Sequence, residues 1–495
     1  MTKTLTNVLW VFLADILVKL VSAPTTFLVA TLLNPAEYGT WITLLLLVSY
    51  APIATLGTLE ALVKQYPFHV GKGEVATAER IESGVLGSTV LSAAALLIVG
   101  LALSVFLPHR EGTAGLGRLM LLTSSFTFMS SFSYYRFSAR QRFRSVSLID
   151  TGRALLTLVC QVGLTWLWGL TGTVAGFLLA EVIVCVVSWW LCVKQCGRVA
   201  VSYDLKLISG LVRIGLPITI IWWVFIIQSS ADRLISMWLL GDSLTGFYGL
   251  GVSIVSLVIL LPITLNRVLY PRVNEKLGQA SRERDLRALV MVPSQALSVM
   301  MPIAIGLLVI ASPFVYKQVL PKYGPGLASA QILLLGSFFV CIVRAAATFL
   351  IATNRQLVVL KYILISVSLN VVGNILLVRL GFGIAGIAFG SGLSACILAT
   401  LVWLAAFKHL GSGRVERIRE LGGLYLPYAL MLFLLSVYFV VVPDVFADAS
   451  RLSAALGGLF VIMFSLMLYL IPTVRVRSTG LLVLLNAKLR GEVAP

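Results

Sequence analysis

Eight ionisable residues stand inside long apolar stretches of this chain: Asp15, Lys19, Asp150, Arg153, Glu181, Asp232, Arg233 and Arg344. A charge at the centre of a bilayer costs at least ~2.5–3.5 kcal/mol, so it normally faces an interior or a wet cavity. Cations at depth offer an anionic ligand what it loses on leaving water, Lys as a point charge and Arg as a planar donor fork. Lys19, Arg344 and Arg233 are therefore the candidates for holding an anionic cargo. Carboxylates at depth can hold a coupling cation, H+ or Na+, and Asp15, Glu181 and Asp232 are the candidates for that role. The competing reading is mutual neutralisation. Asp15 with Lys19 at i, i+4 and Asp150 with Arg153 at i, i+3 have the spacing of intrahelical ion pairs. Asp150 and Arg153 lie towards one end of their stretch, where charges reach water cheaply, and fit that reading better. Asp232 and Arg233 are adjacent and diverge by ~100° on a helix, so each meets a different neighbour.

The elements that carry these charges follow from composition. The 495 residues are 59% hydrophobic and 12% charged, about half the ~25% charge of soluble domains. A mean hydropathy of +0.99 excludes a water-soluble protein of this length. Fourteen apolar stretches reach the ~20 residues of a membrane helix, from 8–33 at the start to 452–472 near the end. The second covers 40–63, the fifth and sixth 147–169 and 172–194, and the tenth, with Arg344, 328–353. The expected class is all-α and polytopic. The connections are short, the longest being 64–83 and 267–292, and neither can hold a catalytic domain. Pro24, Pro52, Pro217, Pro262 and Pro302 are expected to kink the helices that hold them.

The net charge of +18 is a topology signal, and nucleic acid is not an expected partner. Of 38 Lys and Arg residues, 28 fall in alternate connections and tails on the N-terminal side. Six fall on the other side: Arg110, Arg118, Lys317, Lys322, Arg379 and Arg451. The remaining four are Lys19, Arg153, Arg233 and Arg344. The positive-inside rule then puts both termini in the cytoplasm, with the lipid bilayer as first partner. Leu481–Leu485 with its basic flanks reads as an interfacial helix or a frayed tail. The six cysteines include Cys185, Cys192 and Cys196 on one helical face, but no further ligand completes a tetrahedral metal site. The three histidines all lie in connections. No cofactor is called for.

Sliding the chain by 210 residues lays Tyr38-Gly39 on Tyr248-Gly249 and Pro52-Ile53 on Pro262-Ile263. Two six-helix units of the same orientation, related by a pseudo-two-fold along the membrane normal, would give that echo.

The stretch LLNPAEYGTWITLLLLVSYAPIATLGTLEALVKQYPFHVGKGE resembles the second-helix signature of polysaccharide flippases, the Wzx-type branch of the multidrug/oligosaccharidyl-lipid/polysaccharide exporter superfamily. GLPITIIWWVFIIQSSADRLISMWLLGDSLTGFYGLGVSI is similar to that family's start of the second lobe. The resemblance implies about 14 helices in two pseudo-symmetric six-helix lobes around a central cavity. On this chain the lobes would be 1–205 and 206–410, followed by two further helices in 411–472 and a cytoplasmic or interfacial tail, 473–495. It implies a transporter, not an enzyme, that flips an undecaprenyl-pyrophosphate-linked oligosaccharide repeat unit to the outer leaflet of the cell membrane. Polysaccharide polymerases would be natural partners. The first helix carries Lys19 where many relatives have Arg, and it lacks the arginine-rich pattern of the related lipid II flippases.

Two other classes stay open. A cation-coupled multidrug exporter of the same superfamily would share the fold; such proteins usually use acidic cavity residues, whereas the deepest charges here are mixed. A membrane-embedded polymerase or ligase would want a sizeable outer loop with catalytic groups, and the longest outer connections are only 108–118 and 317–327.

Overall fold

The computed structural model describes residues 2–106, 113–263, 265–266, 273, 286–353, 355–441 and 457–458. No strand occurs among them, and nine helices are long and apolar enough to cross a membrane. The apolar stretches become α1 (Thr2–Leu32), α2 (Pro35–Tyr50), α3 (Thr58–Gly71), α4 (Val75–Phe106), α5 (Thr113–Ala139), α6 (Phe143–Cys196), α7 (Leu205–Leu240) and α8 (Asp242–Val258). They continue as α9 (Arg287–Phe314), α10 (Leu327–Ala352), α11 (Gln356–Arg379), α12 (Gly383–His409) and α13 (Arg414–Val441). The fourteenth stretch, 452–472, and the tail lie outside the described residues, apart from Gly457 and Gly458.

Local chemistry explains where the helices stop. Asn34 starts α2 with a reciprocal cap: its side chain accepts from Glu37 N–H at 2.9 Å, and the Glu37 carboxylate accepts from Asn34 N–H at 3.0 Å. Pro35 follows at a position that needs no donor. The 54-residue α6 is two spans, because Trp168 and Gly169 leave helical geometry and the chain folds back there.

The second stretch departs from the expected continuous helix. After Tyr50 the chain tightens into a 3₁₀ turn, Ala51–Thr55, and α3 begins only at Thr58. Leu56 and Gly57 both have positive φ, 50° and 84°. A Cβ at Gly57 would collide with the backbone of Gly215, and one at Gly215 with the Gly57 carbonyl. Close passage of α7, together with Pro52, makes a break out of what the sequence offers as a kink. Hydroxyl groups satisfy part of the loosened backbone: Ser92 donates to the Ala54 carbonyl at 2.7 Å, and Thr55 to that of Pro52 at 2.9 Å. The connection 64–83 is likewise helical except at Lys72–Glu74, since α3 and α4 run past the apolar region into polar sequence.

The chain divides into two compact units, Met1–Met237 with Gly241–Gly246, and Trp238–Leu240 with Phe247–Pro495. In the first, α6 packs on α1 and α5, and Tyr50 and Ser230 share a hydrogen bond of 2.5 Å. In the second, α12 packs on α10 and α11 around Phe338, Phe349, Trp403 and Phe407. Asn370 donates to Ser391 and Ser394, and Asn374 donates to Asn370, so α11 meets α12 through a buried polar row. Trp403 spends its indole N–H on the Ile342 carbonyl at 3.1 Å, which pins α12 to α10. Tyr38 and Tyr248, the repeated tyrosines, are both fully buried near the starts of α2 and α8.

Candidate functional site

Depth within the first unit can be read from α6. Trp166 and Trp168 are exposed beside the fold-back, and Trp190 is exposed towards the end of the returning half. About 20 helical residues separate these levels, ~30 Å at 1.5 Å per residue, which matches the hydrocarbon thickness of a bilayer. Glu181 lies about halfway between them.

Glu181 is buried, and Arg153 reaches it from the outgoing half of α6, with Nε 3.3 Å from Oε1. Thr127 of α5 donates to the other carboxylate oxygen at 3.3 Å, and Arg153 Nη2 donates to Ser130 at 2.8 Å. Desolvating either charge alone would be costly, and the contact compensates both. Sequence spacing points Arg153 towards Asp150; the fold-back of α6 brings it to Glu181. The two residues become one polar site because the chain reverses at Gly169.

The other candidates are spread over both units. Lys19 is half-buried on α1. Asp15 is on the same helix, but its side chain lies outside the described residues. Asp232 is buried on α7, and its Oδ1 accepts from the Arg233 backbone N–H at 2.8 Å. Arg344 belongs to the second unit, on α10, three residues past the buried Cys341 and followed by Ala345–Ala347. Its Nε is buried with no hydrogen-bond partner among the described residues. A buried donor left over on a guanidinium is unusual, since most buried polar groups find a partner.

One cluster escaped sequence reasoning. Glu82 of α4, 1% exposed, accepts from Arg136 Nε at 3.0 Å, Arg140 Nε at 2.7 Å and Arg140 Nη2 at 2.9 Å. Arg136, 2% exposed, also donates to the Gly197 and Cys196 carbonyls at 2.9 and 3.0 Å, capping the end of α6. By sequence, Arg136 and Arg140 count among the connection cations that set topology, and Glu82 falls within the connection 64–83. The i, i+4 spacing of Arg136 and Arg140 was the available signal that they share a face.

Comparison with known proteins gives a family and a fold. A family model described as polysaccharide biosynthesis protein matches residues 28–319. No curated protein sequence matches the chain. Among solved structures, the lipid II flippase MurJ in an inward closed conformation is 13% identical, with a TM-score of 0.69 over 93% of this chain and 98% of that one. An inward-facing multidrug resistance MATE family transporter of the MOP superfamily is 12% identical, with a TM-score of 0.64 over 81% of this chain and 98% of that one. A MOP superfamily transporter from Pyrococcus furiosus is 12% identical, with a TM-score of 0.56 over 84% and 96%. At these identities the likeness fixes the fold.

Proposed function

The chain belongs to the polysaccharide biosynthesis protein family, and from that premise we propose that it flips an undecaprenyl-pyrophosphate-linked oligosaccharide repeat unit from the cytoplasmic to the outer leaflet by alternating access. The supporting observation is Arg344, whose buried Nε has no hydrogen-bond partner among the described residues. In this reading Arg344 and Lys19 take the pyrophosphate or its first sugar, which loses water on entering the apolar layer. Arg233 serves nearer the outer end of α7. Asp15, Glu181 and Asp232 are assigned to a coupling cation, H+ or Na+, and Glu181 would have to exchange its contact with Arg153 for that ion. The protein then sits in the cell membrane with both termini cytoplasmic.

Reconstituted flipping tests the proposal. Lys19→Ala and Arg344→Ala should each cut the rate at least tenfold, while Lys19→Arg keeps most of it. Full activity in both alanine variants would sink the cation assignment. Proteoliposomes that export a cationic drug and leave the lipid-linked saccharide in place would replace this reading with the multidrug exporter.

A further inference from the structure

One end of the first unit is cationic, and its connections are held together. Arg80 of α4 donates to Asp204 at 2.8 Å, and Ser202 N–H donates to the Ser83 carbonyl at 3.1 Å. Arg136 ties the end of α5 to the end of α6. The α3–α4 turn, the end of α6 and the start of α7 therefore share one rim. Lys72, Lys194, Arg198 and Lys206 are all exposed on it.

Two of these ammonium groups lie over exposed rings. Lys72 Nζ is 4.5 Å from the centroid of Phe68, and Lys194 Nζ is 4.8 Å from that of Trp190. The rings themselves are 54% and 58% exposed. On α6 the exposed Val186 and Val187 precede Trp190 by one turn, and Lys194 follows by one turn. Exposed aliphatic carbon, then indole, then ammonium is the order of hydrocarbon, interface and phosphate met by a helix leaving a bilayer. Val63 and Phe68 on α3 and Lys72 just past its end, all exposed, come in the same order along the chain. A soluble acidic partner would use the cations, but it would have no use for the aromatic and aliphatic surface beneath them. The ~30 Å between Trp168 and Trp190 puts the ammonium groups just beyond the hydrocarbon boundary.

We propose that this rim is a docking band for the phosphate headgroups of anionic phospholipids, with Lys72 and Lys194 as its centres and Arg198 and Lys206 beside them. Each aromatic ring fixes the height of its ammonium; Asp204 is paired with Arg80 and Glu74 with His69, and the lipid phosphodiester supplies a counter-charge to Lys72 and Lys194. The inference needs only that the chain spans a membrane and holds whatever the cargo is.

The test uses the purified full chain in neutral detergent, titrated with phosphatidylglycerol or phosphatidylcholine and read by native mass spectrometry. The wild type should retain phosphatidylglycerol in preference, with a preference that falls as salt rises. Each cation removed should weaken that binding roughly fivefold, so the double variant Lys72→Gln/Lys194→Gln should lose about 25-fold. Both sites are exposed, and unchanged thermal unfolding of the variant would confirm that it folds. Equal retention of the two lipids by the wild type overturns the proposal, as does equal phosphatidylglycerol binding by wild type and double variant. Preferential capture of a poly-glutamate peptide over phosphatidylglycerol also overturns it, in favour of an acidic protein partner. Loss of flipping bears on the cargo proposal alone, because the binding measurement needs no transport.

Discussion

Arg136 on α5 and Arg344 on α10 are both arginines of long apolar helices, and their surroundings are opposite. In the first unit, Arg136 bonds to the Glu82 carboxylate and two backbone carbonyls, and Glu82 in turn takes two bonds from Arg140. In the second, Arg344 keeps a buried Nε with no partner among the described residues. Each guanidinium has five donors in a fixed fork, and burial makes an unused one expensive. Where the fork is filled by the protein, the charge serves the fold. Where it is not, the remaining donor is the one proposed to take an anionic cargo. The contrast separates depth from satisfaction, and the two arginines can be tested against each other.

The largest effect should come from breaking the satisfied side. Glu82→Ala leaves Arg136 in a buried site without its acid, and removing one partner of such a pair costs ~3–5 kcal/mol. The variant should unfold at a markedly lower temperature or fail to accumulate as a monodisperse protein. Glu82→Gln keeps an acceptor and should fall between it and the wild type. Wild-type unfolding in Glu82→Ala would erase the contrast between the two arginines.

Arg344 should behave in the reverse way. Arg344→Met removes a desolvated charge and keeps a side chain of similar length, a change that is neutral or stabilising where the charge had no partner. The unfolding temperature should hold or rise while transport is lost. A stability loss as large as that of Glu82→Ala would mean that Arg344 is a structural charge and would remove the main support for the cargo proposal.

Much of the membrane architecture was legible because hydrocarbon thickness sets helix length and because Gly-rich turns interrupt apolar runs. The observed break at Trp168–Gly169 falls on the last two residues of the expected stretch 147–169, just ahead of the expected 172–194. What escaped depended on partners far away in sequence. Pro52 announced a kink, but the full break at Leu56–Gly57 also reflects the backbone of Gly215 lying against it, 158 residues on. Arg153 could be matched from sequence only with a neighbour on its own helix, since Glu181 comes within reach through a reversal of α6. Glu82 was hidden by its setting: a polar stretch reads as a loop, yet here it is the first turns of α4. The charges at depth could be picked out as candidates; which of them the fold would satisfy could not.

The smallest effect belongs to an ion pair that repeats the chemistry of Arg136 and Glu82 in water. Asp204 caps α7, accepting from the N–H groups of Lys206 and Leu207 at 3.0 and 3.2 Å, and takes Arg80 Nη2 at 2.8 Å. The hydrogen bond from Arg80, followed by that from the Leu207 amide, holds its carboxyl below the usual carboxylate range. A carboxyl depressed in the folded state adds stability above its unfolded pKa, about 4, and loses it as pH falls through the lower folded value. Asp204→Asn can still accept from the amides, so its acid-side loss of stability should be shallower than the wild type's, with little change at neutral pH. Added salt should weaken the exposed Arg80–Asp204 pair and leave the buried Arg136–Glu82 pair nearly untouched, because ions screen charges that water reaches. Equal salt sensitivity of unfolding in Asp204→Asn and wild type would show that Arg80 contributes nothing through charge, leaving the backbone cap as the whole of what Asp204 does.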